Sequence, residues 1–398
     1  MDKTICPNCV SSGCCHSFYE VLCVPANSCL LVENRARALH FPTGDIVLAV
    51  CAGCGFIFNA AWDSDRTVYS DQYEETQGFS HTFNTFNRAI AEELVGSYDI
   101  RGKTVLEIGC GKGEFLSLIC KLGGNRGIGY DPSFVPARQR SEQDIRFVRE
   151  FFTDNTNEIA PDLLCCKMTL EHIGQTHRFL TSVRAVANRK DSVIFFQVPD
   201  VDRILKEGAF WDVYYEHCSY LSATSLKKLF AVTGFSVQRI WTGYDGQYLM
   251  IVTNPTEHGS DVAPSDADSV AAIIRMCDSF AAAAARSRAM WLSRLRDWAA
   301  AGQRTVLWGS GSKAVAFLTT LGVHDEVEHV VDINPYRVGK FLPGTGQRIV
   351  EPAFLRDSRP DNVVVMNPIY RDEVGRELAR QRCEPRVYTI LDLETGPA

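Results

Sequence analysis

The sequence predicts an α/β protein: a central Rossmann-like domain, a small cysteine-rich N-terminal module and a smaller Rossmann-like C-terminal domain. Three observations predict it. Thr104-Val105-Leu106-Glu107-Ile108-Gly109-Cys110-Gly111-Lys112-Gly113 is an apolar run entering a glycine turn, and Glu114 to Ile119 reads as the start of a helix. Thr305-Val306-Leu307-Trp308-Gly309-Ser310-Gly311-Ser312-Lys313 repeats the pattern near the C-terminus. Two Cys-x-x-Cys pairs, Cys6 with Cys9 and Cys51 with Cys54, precede both.

In the central domain, the helical spacing from Phe83 to Val95 leads into the Thr104 strand. Glycines there let backbone approach a ligand where a Cβ would clash. The spacing G-x-G-x-G differs from the G-x-G-x-x-G of a dinucleotide site, and an acid stands two residues before the first glycine. An acid at that place suits a cationic ligand better than a phosphate. Asp131 ends the next strand, twenty-four residues after Glu107, where a ribose-binding acid belongs. The run resembles motif I of class I S-adenosylmethionine (SAM) methyltransferases, whose cofactor carries an ammonium and a sulfonium. The resemblance implies SAM binding by Glu107, Gly109, Gly111, Gly113, Asp131, Pro132, Phe151 and Lys167. Phe147 to Phe152 lies where the third strand ends, Asp162 to Met168 reads as a fourth strand, and Ser192 to Pro199 as a fifth. Thr169-Leu170-Glu171-His172-Ile173 leaves the carboxyl end of the fourth, the edge at which doubly wound sheets bind ligands.

Eight of the fifteen cysteines fall in the first sixty residues. Two Cys-x-x-Cys knuckles supply the four-sulfur set that tetrahedral zinc prefers, so Cys6, Cys9, Cys51 and Cys54 are expected to hold a structural zinc ion. Neither pair opens a helix beside a βαβ unit, which argues against redox chemistry. Cys14, Cys15, Cys23, Cys29 and His16 are expected to be core or surface residues.

A net charge of −7 gives no global attraction to nucleic acid or anionic lipid. The N-terminus has no apolar signal region, and Val193 to Phe196 is far too short to span a bilayer. A cytoplasmic location is expected. The reading divides the chain into a zinc module and connector (1–80), a SAM domain (81–255), a helical linker (256–300) and a C-terminal substrate domain (301–398). Polar breakers from Thr256 to Asp266 precede an alanine-rich helix whose Ile273, Phe280 and Trp291 form a core stripe.

With this order goes Tyr214-Tyr215-Glu216-His217-Cys218-Ser219-Tyr220-Leu221. Together with Asp332-Ile333-Asn334-Pro335 and Leu342-Pro343-Gly344-Thr345, the chain resembles the C-methyltransferases of nucleotide-linked deoxysugars. That resemblance implies methylation of a carbon beside a keto group on a dTDP-sugar. His217 matches the base, Tyr214 and Glu216 line the substrate site, His172 lies near the sugar, and Tyr73 or Tyr69 reaches in from the connector. The chemistry is coherent: a sulfonium methyl is already electrophilic, whereas carbon needs a proton removed and its enolate oxygen steadied. If residues 214–217 are extended, Tyr214 and Glu216 face one way and Tyr215 and His217 the other.

Two features depart from that family. Gly346-Gln347-Arg348-Ile349 replaces a histidine-containing run, and Asn367-Pro368-Ile369-Tyr370 replaces a tryptophan-bearing turn. The latter imitates the N-P-P-Y motif of amino-group methyltransferases, but it lies in the wrong domain and is expected to be a chance match or a substrate-domain turn. The amides of Gly309 to Lys313 are suited to a substrate's phosphates rather than to NAD. The alternative function is O- or C-methylation of another small molecule of secondary metabolism. No nucleic-acid or membrane partner is expected, and a monomer is the working expectation.

Overall fold

The computed structural model describes residues 5–138, 144–153, 159–187, 190–256 and 267–392. The expected breaker stretch lies, apart from Thr256, outside the described residues. The N-terminal module contains β1 (Cys15–Pro25), α1 (Arg35–Leu39), β2 (Thr43–Cys51) and β3 (Ile57–Asn59). All three strands pair antiparallel. A connector leads to α2 (His81–Ser97), whose N-cap Ser80 accepts the Phe83 amide.

The central domain runs β4 (Thr104–Ile108), α3 (Glu114–Gly123), β5 (Arg126–Tyr130), β6 (Ile145–Val148), β7 (Leu163–Lys167), α4 (Thr176–Val186), β8 (Val193–Pro199), α5 (Val201–Glu207), β9 (Ser219–Tyr220), α6 (Ala223–Val232), β10 (Phe235–Gly243) and β11 (Tyr248–Pro255). The seven-stranded sheet has the order β10-β11-β8-β7-β4-β5-β6. β10 and β11 form an antiparallel hairpin, and the remaining strands are parallel. Strand order reverses between β4 and β7, which opens a ligand crevice at their carboxyl ends.

β9 does not join that sheet. It pairs with β3 and completes a sheet ordered β1-β2-β3-β9, so the central domain lends a strand to the N-terminal module.

α7 (Ala267–Ala300) follows. Val270, Ile273, Cys277, Phe280, Ala284, Trp291 and Leu295 recur at helical spacing and are buried. Phe280 meets Tyr19 of the N-terminal module, and Trp291 meets Phe317 of the C-terminal domain. The helix therefore buttresses two domains along a shared core as well as joining them. The C-terminal domain comprises β12 (Thr305–Trp308), α8 (Ser312–Leu321), β13 (His329–Val331), β14 (Arg348–Val350), α9 (Leu355–Ser358), β15 (Asn362–Val365), α10 (Arg371–Arg380) and β16 (Arg386–Thr389). Its five strands are all parallel, in the order β14-β13-β12-β15-β16. No helix among the described residues is long and apolar enough to cross a membrane.

Candidate active site

A cavity of about 360 Å³ lies at the carboxyl ends of β4, β5 and β7. It is lined by seven of the eight residues expected to hold the cofactor: Glu107, Gly109, Gly111, Asp131, Pro132, Phe151 and Lys167. Gly113 is the exception in contact, since it serves as the N-cap of α3 at φ 82°. Gly109 has φ 71°, and a Cβ there would stand 2.0 Å from the Thr169 hydroxyl. Gly111 donates its amide to Asp131 Oδ2 at 2.8 Å, and Ser133 donates to Oδ1 at 2.7 Å. Glu107 is buried, and one of its carboxylate oxygens has no hydrogen-bond partner among the described residues. Burial raises its pKa against the pull of Lys167. Burial likewise lowers that of Lys167, whose ammonium lies 3.6 Å over the Phe115 ring and donates to Asn87 at 2.6 Å. Phe151, 65% exposed, forms the rim.

The segment 214–217 is a turn, not an extended strand: the His217 amide donates to the Tyr214 carbonyl at 3.1 Å. The alternation that an extended segment would impose therefore does not apply. The turn puts Tyr214 and His217 on one side, ring centroids 4.1 Å apart. Tyr215 and Glu216 serve as anchors. The Tyr215 ring packs where Gly44 lacks a Cβ, and its hydroxyl accepts the Asp63 amide at 2.8 Å. Glu216 accepts from Asn27 Nδ2 at 3.1 Å, the Ser28 amide and hydroxyl, and Ser312 Oγ at 3.4 Å. Although it borders the cavity, its carboxylate is committed to holding three domains together.

His217 is 4% exposed. Burial, then the charges of His172 and Lys313, hold its imidazole well below the ordinary value, so at neutral pH it is an unprotonated acceptor. His172 stands 4.8 Å away, ring to ring, with burial lowering it to about 4. Tyr69 reaches its Nδ1 at 2.9 Å, and Tyr73 packs edge-on to Tyr69 at 5.1 Å. Both connector tyrosines therefore enter the site. Glu171, beside them, is pushed up to about 8 by burial.

A second cavity, about 690 Å³, lies between the central and C-terminal domains. Cys29, Glu75, Met168, Tyr214, His217 and Ser312 line both cavities, so the two spaces meet at the Tyr214–His217 turn. Arg203 and Lys313 border the second cavity but are engaged by Asp212. Arg376 and Arg380 lie one turn apart on α10 at its mouth. In the glycine loop, Gly309 and Ser310 spend their amides on Val331 and Asp332, leaving Gly311 to Lys313 to face the space. Asn367 and Tyr370 are a turn on this wall, bonded across the cleft to Gln247 at 2.9 Å and Tyr244 at 2.7 Å.

Cys6, Cys9, Cys51 and Cys54 converge, all four sulfurs lying within 4.8 Å of one another. The Cys6–Cys54 and Cys9–Cys51 separations are 3.8 and 3.7 Å. A tetrahedral ion with bonds of about 2.3 Å would space its sulfurs by roughly 3.8 Å, so the set fits zinc. Cys14 is not a remote surface residue, because its sulfur lies 3.3 Å from that of Cys51.

Three further residues at the site lie outside the sequence expectations. Cys29, expected in core or surface, lines both cavities 3.4 Å from Ser312. Met168 adopts φ 51°, a strained conformation for a side chain, at the cavity junction. Buried Lys112 donates to the Tyr73 carbonyl at 2.6 Å and to the Ser133 carbonyl at 2.9 Å, pinning the connector on the central domain. A lysine inside the glycine motif was the available clue.

The family of methyltransferase domains matches residues 79–240, and that of C-methyltransferase C-terminal domains matches residues 261–385. The chain is similar to the C-methyltransferase NovU of Streptomyces niveus, 28% identical over 297 residues, which cover 71% of this chain and 70% of that protein. Similar solved structures include magnesium protoporphyrin IX methyltransferase (ChlM) of Synechocystis PCC 6803 with bound SAH, at 15% identity and TM-score 0.36, covering 44% of this chain and 84% of that one. Another is CalO1, a methyltransferase in calicheamicin biosynthesis, at 19% identity and TM-score 0.34, covering 48% and 64%. With the two domain matches and the likeness to NovU, the chain is a SAM-dependent methyltransferase, and its residues 261–385 match the C-methyltransferase C-terminal domain family.

Proposed function

We propose that the enzyme methylates a carbon next to a keto group on a nucleotide-linked sugar, with His217 as the general base. The observation that carries this reading is the meeting of the two cavities at Tyr214 and His217. SAM in the first cavity supplies an electrophilic methyl group. The unprotonated His217 takes the acidic proton beside the ketone, and Tyr214 or His172 donates to the enolate oxygen. Glu107 faces the cofactor's positive charge, and Asp131 its ribose. The larger cavity has room for a sugar nucleotide, with Gly311 to Lys313, Arg376 and Arg380 placed for its phosphates. Cys6, Cys9, Cys51 and Cys54 hold a closed structural zinc, which performs no chemistry. That NovU is a C-methyltransferase supports methylation at carbon.

The test is solvent deuterium entering the acceptor carbon of a dTDP-keto-sugar. We expect exchange in the wild type and a loss of roughly 10²- to 10⁴-fold in both exchange and turnover in His217→Ala, with SAM binding retained. Methyl found on oxygen or nitrogen rejects the reading and favours another small-molecule acceptor.

A further inference from the structure

At the head of the cofactor cavity lies a second cluster with the chemistry of metal ligands. Glu171, His172 and His217 present ligand atoms within 4.8 Å of one another, and all three line the cavity. Glu171 is 1% exposed, and neither of its carboxylate oxygens has a hydrogen-bond partner among the described residues. A buried carboxyl group whose two oxygens both lack a partner is costly, and methyl transfer uses neither oxygen. Tyr69 holds His172 by Nδ1, as an outer partner holds a ligating imidazole.

We propose that Glu171, His172 and His217 form a second metal site, which takes a divalent first-row ion such as Zn²⁺ and thereby switches off His217 as a proton acceptor. One carboxylate and two imidazoles suit such an ion and leave a coordination position for water. Bonds of about 2.0 to 2.1 Å space tetrahedral ligands by roughly 3.3 Å, against ligand atoms that now lie within 4.8 Å of one another. The ion takes the His217 lone pair that the substrate's proton would otherwise occupy. No oxidation state changes, and chelation restores the free imidazole. This site differs from the cysteine set in its donors, nitrogen and oxygen rather than sulfur. The inhibitory half rests on His217 being the base, whereas the binding half stands without it.

The test titrates Co²⁺ into full-length protein whose cysteine site is already filled with zinc. We expect one further ion per chain by calorimetry, with visible absorption bands but no sulfur-to-cobalt charge-transfer band. Glu171→Gln and His172→Ala should each weaken that ion at least 100-fold, with circular dichroism checking that both fold. One equivalent of Zn²⁺ beyond the cysteine site should abolish turnover competitively with the acceptor, reversed by a mild chelator. Absence of a further ion, its retention in both variants, or a charge-transfer band placing it on cysteines overturns the site. Binding without loss of turnover overturns the switch. If His217→Ala stays active in ion-free protein, the general-base reading fails, while the stoichiometry in Glu171→Gln still decides the metal site.

Discussion

The two glycine loops of this enzyme share a scaffold and differ in charge. Both follow a parallel strand at the point where strand order reverses. In each, an acid after the neighbouring strand accepts an amide from the loop: Asp131 from Gly111, and Asp332 from Ser310. Two residues before the first glycine, however, the central domain has Glu107 and the C-terminal domain has Leu307. After the second glycine, the former continues to Gly113 and the latter to Lys313. On the proposed function, one architecture serves ligands of opposite charge through few side chains. The acid on the adjacent strand holds the loop's shape, and the strand-end residue is the one we propose to select the ligand.

The largest expected effect comes from forcing the two loops to match. Leu307 is fully buried, so Leu307→Glu places an unpaired carboxylate in the C-terminal core. It should cost about 4 kcal/mol, read as a lower chemical-denaturation midpoint. The reverse exchange, Glu107→Leu, should leave folding intact and weaken SAM roughly 10- to 100-fold by calorimetry, with nucleotide binding unchanged. Equal loss of both ligands would break the division of labour.

pH sharpens the contrast. Burial raises the Glu107 carboxyl and lowers the Lys167 ammonium, so rising pH ionises the acid and discharges its rival. SAM affinity should therefore increase with pH through neutrality, and Glu107→Gln should flatten the dependence. In the same cavity the lowered His217 pKa predicts an acidic limb of kcat/KM below the ordinary imidazole value, 6.5. The smallest effect is expected at the C-terminal rim. Replacing Arg376 and Arg380 by alanine should weaken a sugar nucleotide roughly 3- to 10-fold, less at high salt, without altering SAM affinity.

How much of this was legible in the sequence follows from range. Glu107, the glycines, Asp131 and the cysteine knuckles lie in short contiguous motifs, and local patterning carries them. The conformation of Tyr214 to His217 was not readable, because a distant event sets it. The two-residue strand Ser219–Tyr220 has too little alternation to announce itself, and its partner Ile57–Phe58 lies far away in the chain. The resemblance implies that Glu216 lines the substrate site, but its carboxylate is taken up in anchoring. Its partners Asn27, Ser28 and Ser312 come from two other domains, and no spacing rule reveals them. Cys29 was hidden for the same reason.

The borrowed strand also orders the events of synthesis. Until Tyr220 has left the ribosome, the first sheet has an open edge along Ile57–Asn59, however early its cysteines emerge. The N-terminal module therefore cannot finish folding before much of the second domain has been translated. Residues 1–80 expressed alone should expose that edge and self-associate, and supplying residues 81–398 in trans should relieve it.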